Sequence, residues 1–511
     1  MTQPASDAGM GIVYIVGAGP GDPGLITARG QEVIGRADAI VFDSSVSRAL
    51  LPANARTAGH PELFYVGRRR TDSRKINQQE IQELLIQLAR SGKRVVRLTG
   101  GDPFVFGRGG DEAQALYDAS VPFEVIPGIT AGLAAVSYAG IPVTHGGMSS
   151  SVTFVSGKEI PGSPSTQTNW AALAKAGGTL VIYTGVKLVD EIASALLDGG
   201  MPEEMPAAAV ERGTSRRQRT ITATLGTLVE TVRSASLSGP TILILGWPVL
   251  LRDEMSWFEN RPLFGRRIIL ADRGSQAAAI GERIRELGAE VLEVPEESLA
   301  RLDLAPLREE FTRLIDFQWV MFATRNAVTI FWEQLLGSGR DSRALSGLSV
   351  AAVGAEAAGA LLEHGIAVDV IPARFTAEAL LEKLGERDDV AGSRILLIAP
   401  EGSAALASDL ESLGADVTVI AAYRSIRDER GVRKLRRKMQ RENANAVVFT
   451  SIAGVKAYVT ATGEDLVSSV PAASMNDQVT EALTAQGIEV LCEAEEPTAE
   501  SLLAALERSL K

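Results

Sequence analysis

The sequence predicts an α/β protein made of two unlike halves, an N-terminal region of two subdomains and a C-terminal region of two lobes. Three observations carry that expectation. Short β-branched runs alternate with helix-period segments from Gly11 onward, the pattern of βα units around a sheet. The second half contains an internal repeat. The chain of 511 residues also far exceeds what one core holds, since domains run to about 100–200 residues each.

Residues 1–10 are small and polar without period and read as a disordered tail. Strands are expected at 12–16, 39–42, 94–98 and 123–126, with helix period over 76–90. A second set is expected at 151–155, 179–183, 207–211 and 241–245, with 188–197 helical. Together these make a domain over 11–250. The segment LRDEMSWFENRP has neither period and marks a linker at 251–263. Beyond it, GRRIILADRGSQAAAIGERIRELGAEV from Gly265 is echoed by GSRILLIAPEGSAALASDLESLGADV from Gly392, and VMFATRNAV from Val320 by VVFTSIAGV from Val447. HGIAVDVIPARFTAEALLEKL from His364 is echoed likewise by QGIEVLCEAEEPTAESLLAAL from Gln486. Residues 264–511 are therefore expected to form two lobes, about 264–297 with 425–511, and 298–424, with a ligand cleft between them.

Composition narrows the function. Hydrophobic residues at 45% and charged residues at 22% are those of an ordinary globular protein. A net charge of −12 argues against nucleic acid as a partner, because displacing counterions from phosphate needs a basic surface. A lone cysteine, Cys492, excludes an internal disulfide, and His60, His145 and His364 have no metal-ligand spacing, so no metal is expected. The N-terminus lacks a basic segment followed by an apolar core, and no apolar run nears the roughly 20 residues that span a bilayer. A cytoplasmic protein without a membrane partner is the expectation.

Chemistry concentrates in three loops, each following a β-branched run: VGAGPGDPG at 16–24, RLTGGDPFVFGRGG at 97–110 and PGITAG at 127–132. Glycine lets backbone approach a ligand closely, so the loops describe a pocket lined mostly by main chain. Taken alone, the first loop matches GxGxxG, and with Asp43 at the next strand end it fits an NAD-dependent oxidoreductase. Against that stand Pro20 and Pro23, which remove amide donors that a pyrophosphate would use.

With YAGIPVTH, SSSVTFVSG and ERGTSRRQ added, the loops resemble the tetrapyrrole methylase family, and within it the uroporphyrinogen-III C-methyltransferases. The resemblance implies S-adenosylmethionine as cofactor, with S-adenosylhomocysteine as product. It implies a site formed by Pro20, Gly100, Gly101, Asp102, Val105, Thr130, Ala131, Thr184, Ala208 and Gly213, and Asp43 as catalytic base. It also implies Arg68 at the position of a proton donor, where the family has lysine; an arginine stays protonated and is a poor acid. Thr99, Gly146 and Thr184 likewise stand where the family has lysine, arginine and methionine. These departures keep open an alternative in which the methylase half binds its cofactor but turns over poorly. Arg68 to Arg70, Arg74, Lys75, Arg216, Arg217 and Arg219 are candidates to meet substrate carboxylates, and the basic run 433–438 reads as a solvated helix face.

The doubled half resembles the uroporphyrinogen-III synthase family through FATRNAV, VAAVGAEAAGALLEHG, the Y-R-S at Tyr423 and the TAE-S-LL ending. That resemblance implies Thr324, Tyr423 and Ser451 lining the cleft, with no cofactor; Asn476 and Gln478 stand where the family has a glycine and threonine turn. The pair implies tetrapyrrole substrates: hydroxymethylbilane closed to uroporphyrinogen III, then methylated at C2 and C7 to precorrin-2 on the way to sirohaem or cobalamin. A homodimer through the methylase half is also implied.

Overall fold

The computed structural model describes residues 9–52, 61–67, 76–157, 166–295, 297–372, 377–441, 443–463 and 465–510. Most of the expected tail, His60, and the basic candidates Arg68, Arg69, Arg70, Arg74 and Lys75 lie outside the described residues. The chain divides into two compact units. One runs to Leu292 and adds Ala444–Val455 and the segment from Ser468; the other comprises Glu293–Asn443 and Lys456–Val467.

The first unit opens with a parallel sheet of β1 (Ile12–Gly17), β2 (Ala39–Phe42), β3 (Glu62–Tyr65), β4 (Arg94–Thr99) and β5 (Phe123–Ile126), in the order β3-β2-β4-β1-β5. Its inner strands are continuous apolar runs because helices cover both faces, leaving a separate buried cluster on each side. The carboxyl ends of β1, β4 and β5, neighbours in the sheet, present the three glycine loops side by side, where open α/β sheets bind ligands. A second, mixed sheet follows: β6 (Val152–Ser156), β7 (Thr179–Gly185), β8 (Pro206–Glu211), β9 (Arg219–Thr224) and β10 (Pro240–Leu245), ordered β6-β7-β10-β8-β9. Only β6 and β7 pair in parallel among these neighbours.

The stretch expected as a period-free linker is fastened down. A 3-10 turn, Trp247–Leu251, leads into the short helix Arg252–Met255. Arg252 donates to the Ala139 carbonyl and pairs with Glu259. Trp257 Nε1 donates to the Ser137 carbonyl at 3.0 Å, and the Tyr138 ring packs on Trp257 and Phe258. No period shows in the sequence because single side chains, not one face of an element, make the contacts.

The repeat is distributed over two further sheets. Beyond the fastened stretch come β11 (Arg267–Leu270), β12 (Glu290–Glu293), β13 (Glu297–Arg301), β14 (Trp319–Phe322), β15 (Ser349–Ala352), β16 (Arg394–Pro400), β17 (Asp416–Arg427), β18 (Ala446–Phe449), β19 (Ala472–Ser474) and β20 (Val490–Glu493). One sheet is ordered β12-β11-β18-β19-β20 and the other β13-β17-β16-β14-β15. The copy beginning at Gly265 therefore gives β11 and β12 to the first sheet but β14 and β15 to the second. The copy beginning at Gly392 gives β16 and β17 to the second and β18 to β20 to the first. In both sheets the central parallel pair joins opposite copies, Ile268 beside Ala446 and Trp319 beside Ile395. The basic run 433–438 lies on the helix Glu429–Arg441, whose Val432, Leu435 and Met439 are buried.

No described helix is long and apolar enough to cross a membrane, and among the described residues no group of three or more His, Cys, Asp or Glu is placed to hold a metal.

Candidate active site

Three glycines fix the site where the loops converge. A Cβ on Gly128 would stand 2.2 Å from the Gly101 carbonyl oxygen, and one on Gly17 would stand 2.5 Å from Gly128 Cα. Only glycine fits such backbone contact. Gly19 and Gly101, with φ of 74° and 69°, exchange main-chain hydrogen bonds of 3.2 and 2.7 Å, zipping the first loop to the second. Asp102 ties the second to the third: Oδ1 accepts from the Phe104 amide at 2.8 Å and Oδ2 from the Gly128 amide at 3.0 Å. Val105 is half-buried between the exposed rings of Phe104 and Phe106.

The second sheet closes the site through a residue the sequence reading missed. Tyr183, near the end of β7, sets its hydroxyl 2.6 Å from Thr130 Oγ1 and accepts from the Gly132 amide at 2.8 Å, while its ring meets Phe106 at 4.8 Å. Burial pushes its phenol pKa up, against the lowering by Thr130 and Gly132. Ala131 opens the helix Ala131–Tyr138 that follows Thr130. A Cβ on Gly213 would stand 2.4 Å from the Ala135 side chain of that helix. Next to it, Thr214 Oγ1 accepts from the Asp22 amide at 3.3 Å, bringing the Pro20 loop against it, and Tyr138 donates to Asp22 at 2.8 Å. Pro20, Gly100, Gly101, Asp102, Val105, Thr130, Ala131 and Gly213 thus belong to one connected set of loops. Ala208 instead sits fully buried mid-strand, between Thr222 and Ile244. The Thr184 hydroxyl turns onto its own chain at the Gly185 carbonyl, 3.2 Å away.

Asp43 joins this set through Ser45. Its Oδ1 accepts from the Ser45 amide at 2.9 Å and from the Ser45 hydroxyl, whose oxygen in turn accepts from the Gly100 amide at 3.0 Å. Its Oδ2 faces Arg97 Nη2 at 3.1 Å. Arg97 is buried, and its Nε meets the wholly buried Glu112 at 3.1 Å. Burial pushes the Asp43 carboxyl up, but the Ser45 hydroxyl and amide and the Arg97 guanidinium more than offset it and hold the group below the usual carboxylate range. Asp43 is therefore a standing negative charge at the edge of the loop cluster.

In the second unit Thr324 caps the helix Arg325–Gly337 by accepting from the Ala327 amide at 3.2 Å, and its Oγ1 lies 2.8 Å from the hydroxyl of the buried Tyr423. Ser451 belongs to the first unit. It accepts from the Gly454 amide at 3.1 Å and donates to Asp272, which also takes the Thr450 amide. Asn476, where a glycine is expected, caps the helix Asp477–Ala485 by accepting from the Val479 amide.

Residues 12–229 match the family model of the Tetrapyrrole (Corrin/Porphyrin) Methylases, and 278–504 that of Uroporphyrinogen-III synthase HemD. A protein of Ruminiclostridium josui, the Porphyrin biosynthesis protein HemD, is 35% identical over 485 residues, covering 93% of this chain and 91% of its own. The chain belongs to the tetrapyrrole methylases in its first half and to the uroporphyrinogen-III synthases in its second. A Uroporphyrinogen-III C-methyltransferase of Bacillus subtilis (strain 168) is 37% identical over 339 residues, 66% of this chain and 68% of that protein. The crystal structure of a uroporphyrin III C-methyl transferase from Thermus thermophilus aligns with a TM-score of 0.40 at 35% identity, over 47% of this chain and 100% of that one.

Within the methylase half the nicotinamide reading of the first loop gives way. Asp22 caps a 3-10 turn, Pro23–Leu25, and the helix proper begins only at Ala28, with its Gly30 amide already taken by Thr27. The first-turn Gly30 amide of that helix is thus already engaged and not free for a pyrophosphate. Of the basic candidates, Arg216 pairs with Glu290 and donates to the Gly265 carbonyl, and the exposed Arg219 donates through Nη2 to the Ala235 carbonyl at 2.7 Å.

Proposed function

We propose that the synthase half, 264–511, closes hydroxymethylbilane to uroporphyrinogen III, and that the methylase half, 11–250, transfers two methyl groups to it, at C2 and C7, giving precorrin-2. The observation that carries the methylase reading is the Asp43–Ser45–Gly100 link, which sets an ionised carboxylate two hydrogen bonds from the glycine cradle.

The cradle fits S-adenosylmethionine. Gly100 and Gly101 bring main chain rather than side chain to the cradle, the Asp102 carboxylate and Thr130 hydroxyl offer polar partners for an amino-acid tail, and the Phe106–Tyr183 pair offers apolar surface. When bound, that cofactor supplies an electrophilic methyl group. The chain orients it, through loops whose mutual hydrogen bonds leave little to reorganise, and Asp43 faces the charge that methylation creates. A pyrrole carbon that gains a methyl becomes part of a cation and must lose a proton; a nearby carboxylate stabilises the first and accepts the second. Arg97 and Ser45 keep Asp43 ionised and fix its orientation.

In the synthase half Thr324 and Tyr423, whose hydroxyls lie 2.8 Å apart, and Ser451, bonded to Asp272, are the side chains proposed to meet the substrate. No cofactor is required for ring closure, which needs shape and electrostatic control of a reactive cation. The segment 251–263 joins the halves, and the protein works in the cytoplasm. The exposed Leu133, Trp247, Leu250, Met255 and Trp257 support a homodimer through the methylase half.

Incubating the full chain with hydroxymethylbilane and S-adenosylmethionine, and following absorbance and product mass, tests both activities. Two added methyl groups are expected. Uroporphyrinogen III without them would leave a cofactor-binding but inactive methylase half, the reading that the Thr184 hydroxyl, turned onto its own strand end, favours.

A further inference from the structure

One strained loop of the methylase half is held from outside that half. Between β8 and β9 the chain turns through Arg212 and Thr214, with φ of 49° and 64°, flanking Gly213. Non-glycine residues in the left-handed region persist only where their surroundings over-determine them. Part of that hold is internal. The buried Gln218 accepts from the Thr214 amide at 2.8 Å, and the Ser215 hydroxyl donates to the Arg212 carbonyl at 2.7 Å.

The rest comes from the synthase half. Arg216, in the middle of the loop, points its Nε at Glu290, the first residue of β12, and its Nη1 at the Gly265 carbonyl, 3.3 Å away. Glu290 is itself braced, since Arg267 at the start of β11 meets the same Oε2 through Nε at 3.0 Å and Nη2 at 2.8 Å. Only 17% of the Arg216 side chain is exposed, and 4% of that of Arg267, against 31% for Glu290, so the two cations are largely withdrawn from solvent and the pairing is screened less than one between fully exposed side chains. On its other side the same loop meets the first glycine loop through Thr214 and Asp22.

We infer that Glu290 of the synthase half, acting through Arg216, is a positioning residue for the cofactor site of the methylase half. The inference rests on the reading that Gly213 lines that site. A loop ordered in advance binds its ligand without a further ordering cost, so the docked synthase strand completes the methylase site, and fusion of the two halves does more than keep them together.

The test compares the full-length wild type with Glu290→Gln, Arg216→Gln and the double variant, using calorimetric titration with S-adenosylhomocysteine and hydrogen exchange. Each single substitution is expected to raise Kd about tenfold, the double no more than either single, as for residues on one coupled path. Exchange is expected to quicken in the peptide 212–218 and to stay unchanged over β1 and β4. Wild-type affinity and exchange in Glu290→Gln would overturn the inference while sparing the cofactor site. So would weakened binding in Arg216→Gln alone, which would mean that the arginine touches the ligand directly. No binding by the wild type would remove the cofactor site and this inference with it. If Glu290→Gln loosens its whole lobe, Arg216→Gln, which leaves Glu290 with Arg267, decides by its exchange at 212–218.

Discussion

Arg97 Nη2 lies 3.1 Å from Asp43 Oδ2, and the same guanidinium turns its Nε to Glu112, so the candidate catalytic carboxylate is one end of a buried charge triad. Glu112 also takes Gln78 Nε2 at 3.1 Å on Oε1, while its Oε2 has no hydrogen-bond partner among the described residues. Two carboxylates thus share one arginine, and Asp43, the more exposed of them, faces the glycine cradle.

Removing the arginine should be costly. Arg97→Met leaves Glu112 buried without its charge partner, and breaking a buried pair from one side costs about 3–5 kcal/mol. Chemical denaturation followed by Trp fluorescence should show the methylase transition moving to lower denaturant by that amount. Adding Glu112→Leu should restore part of it, since an apolar pair leaves no orphaned charge; no recovery would show that the triad's shape, not its charge, is needed.

Asp43→Asn should abolish methylation while leaving S-adenosylhomocysteine binding intact; unchanged turnover would take Asp43 out of the chemistry. The pH dependence of stability carries the same signature. A carboxyl whose folded pKa is lowered binds fewer protons folded than unfolded, so its stabilisation is complete above the unfolded value of about 3.9 and is lost as pH falls through the folded one. Stability of the methylase half should therefore decline less steeply below about pH 4 in Asp43→Asn than in the wild type, as read from denaturation midpoints across pH.

Gly128→Ala tests the loop convergence itself. The added Cβ meets backbone on both sides, at the Gly101 carbonyl oxygen and the Gly17 main chain, and neither can swing away as a side chain would. Overpacking of this kind costs about 1–3 kcal/mol, and the loops must part to accept the methyl group. Loss of S-adenosylhomocysteine binding with synthase turnover preserved is the expected result; unaltered affinity would mean that the cradle is softer than its contacts suggest.

Legibility of this architecture followed burial. β1, β2 and β4 read as strands because parallel strands covered on both faces are mostly apolar runs, and β5, an edge strand, because three of its four residues are apolar. β3 (ELFY) and β9 (RTITAT) were missed: both are edge strands with one solvated side, and the arginine opening β9 reads as part of a charge cluster. Glycine spacing disclosed the loops, because a Cβ is excluded there whatever the ligand. Side chains that act across the fold left weaker traces. Tyr183 stands next to Thr184 in an apolar strand and looks like core until the third loop is brought to it. Arg97 did carry a signal, a charge inside the apolar VVRL run, which demands a buried partner; Glu112, fifteen residues on in the same chain, supplies it. The way the two repeat copies share sheets follows from pairing β11 with β18 and β16 with β14, long-range choices that local propensity does not encode.

In the synthase half, Tyr423→Phe separates support from contact. The Tyr423 hydroxyl lies 2.8 Å from Thr324 Oγ1, and that oxygen already accepts the Ala327 amide that starts the following helix. If the tyrosine donates its proton, the threonine hydroxyl keeps its own proton for a ligand carboxylate; with phenylalanine, Thr324 loses that donor and helix and strand lose one bond. The cost in stability should be about 1 kcal/mol, the usual net worth of such a hydrogen bond. Thr324→Ala should cost about the same through the lost cap and remove the proposed ligand contact as well. Hydroxymethylbilane turnover then distinguishes the roles. A fall in kcat/KM for Thr324→Ala well beyond that for Tyr423→Phe places the threonine against substrate with the tyrosine behind it. Equal and small effects would leave both residues as packing at the strand end.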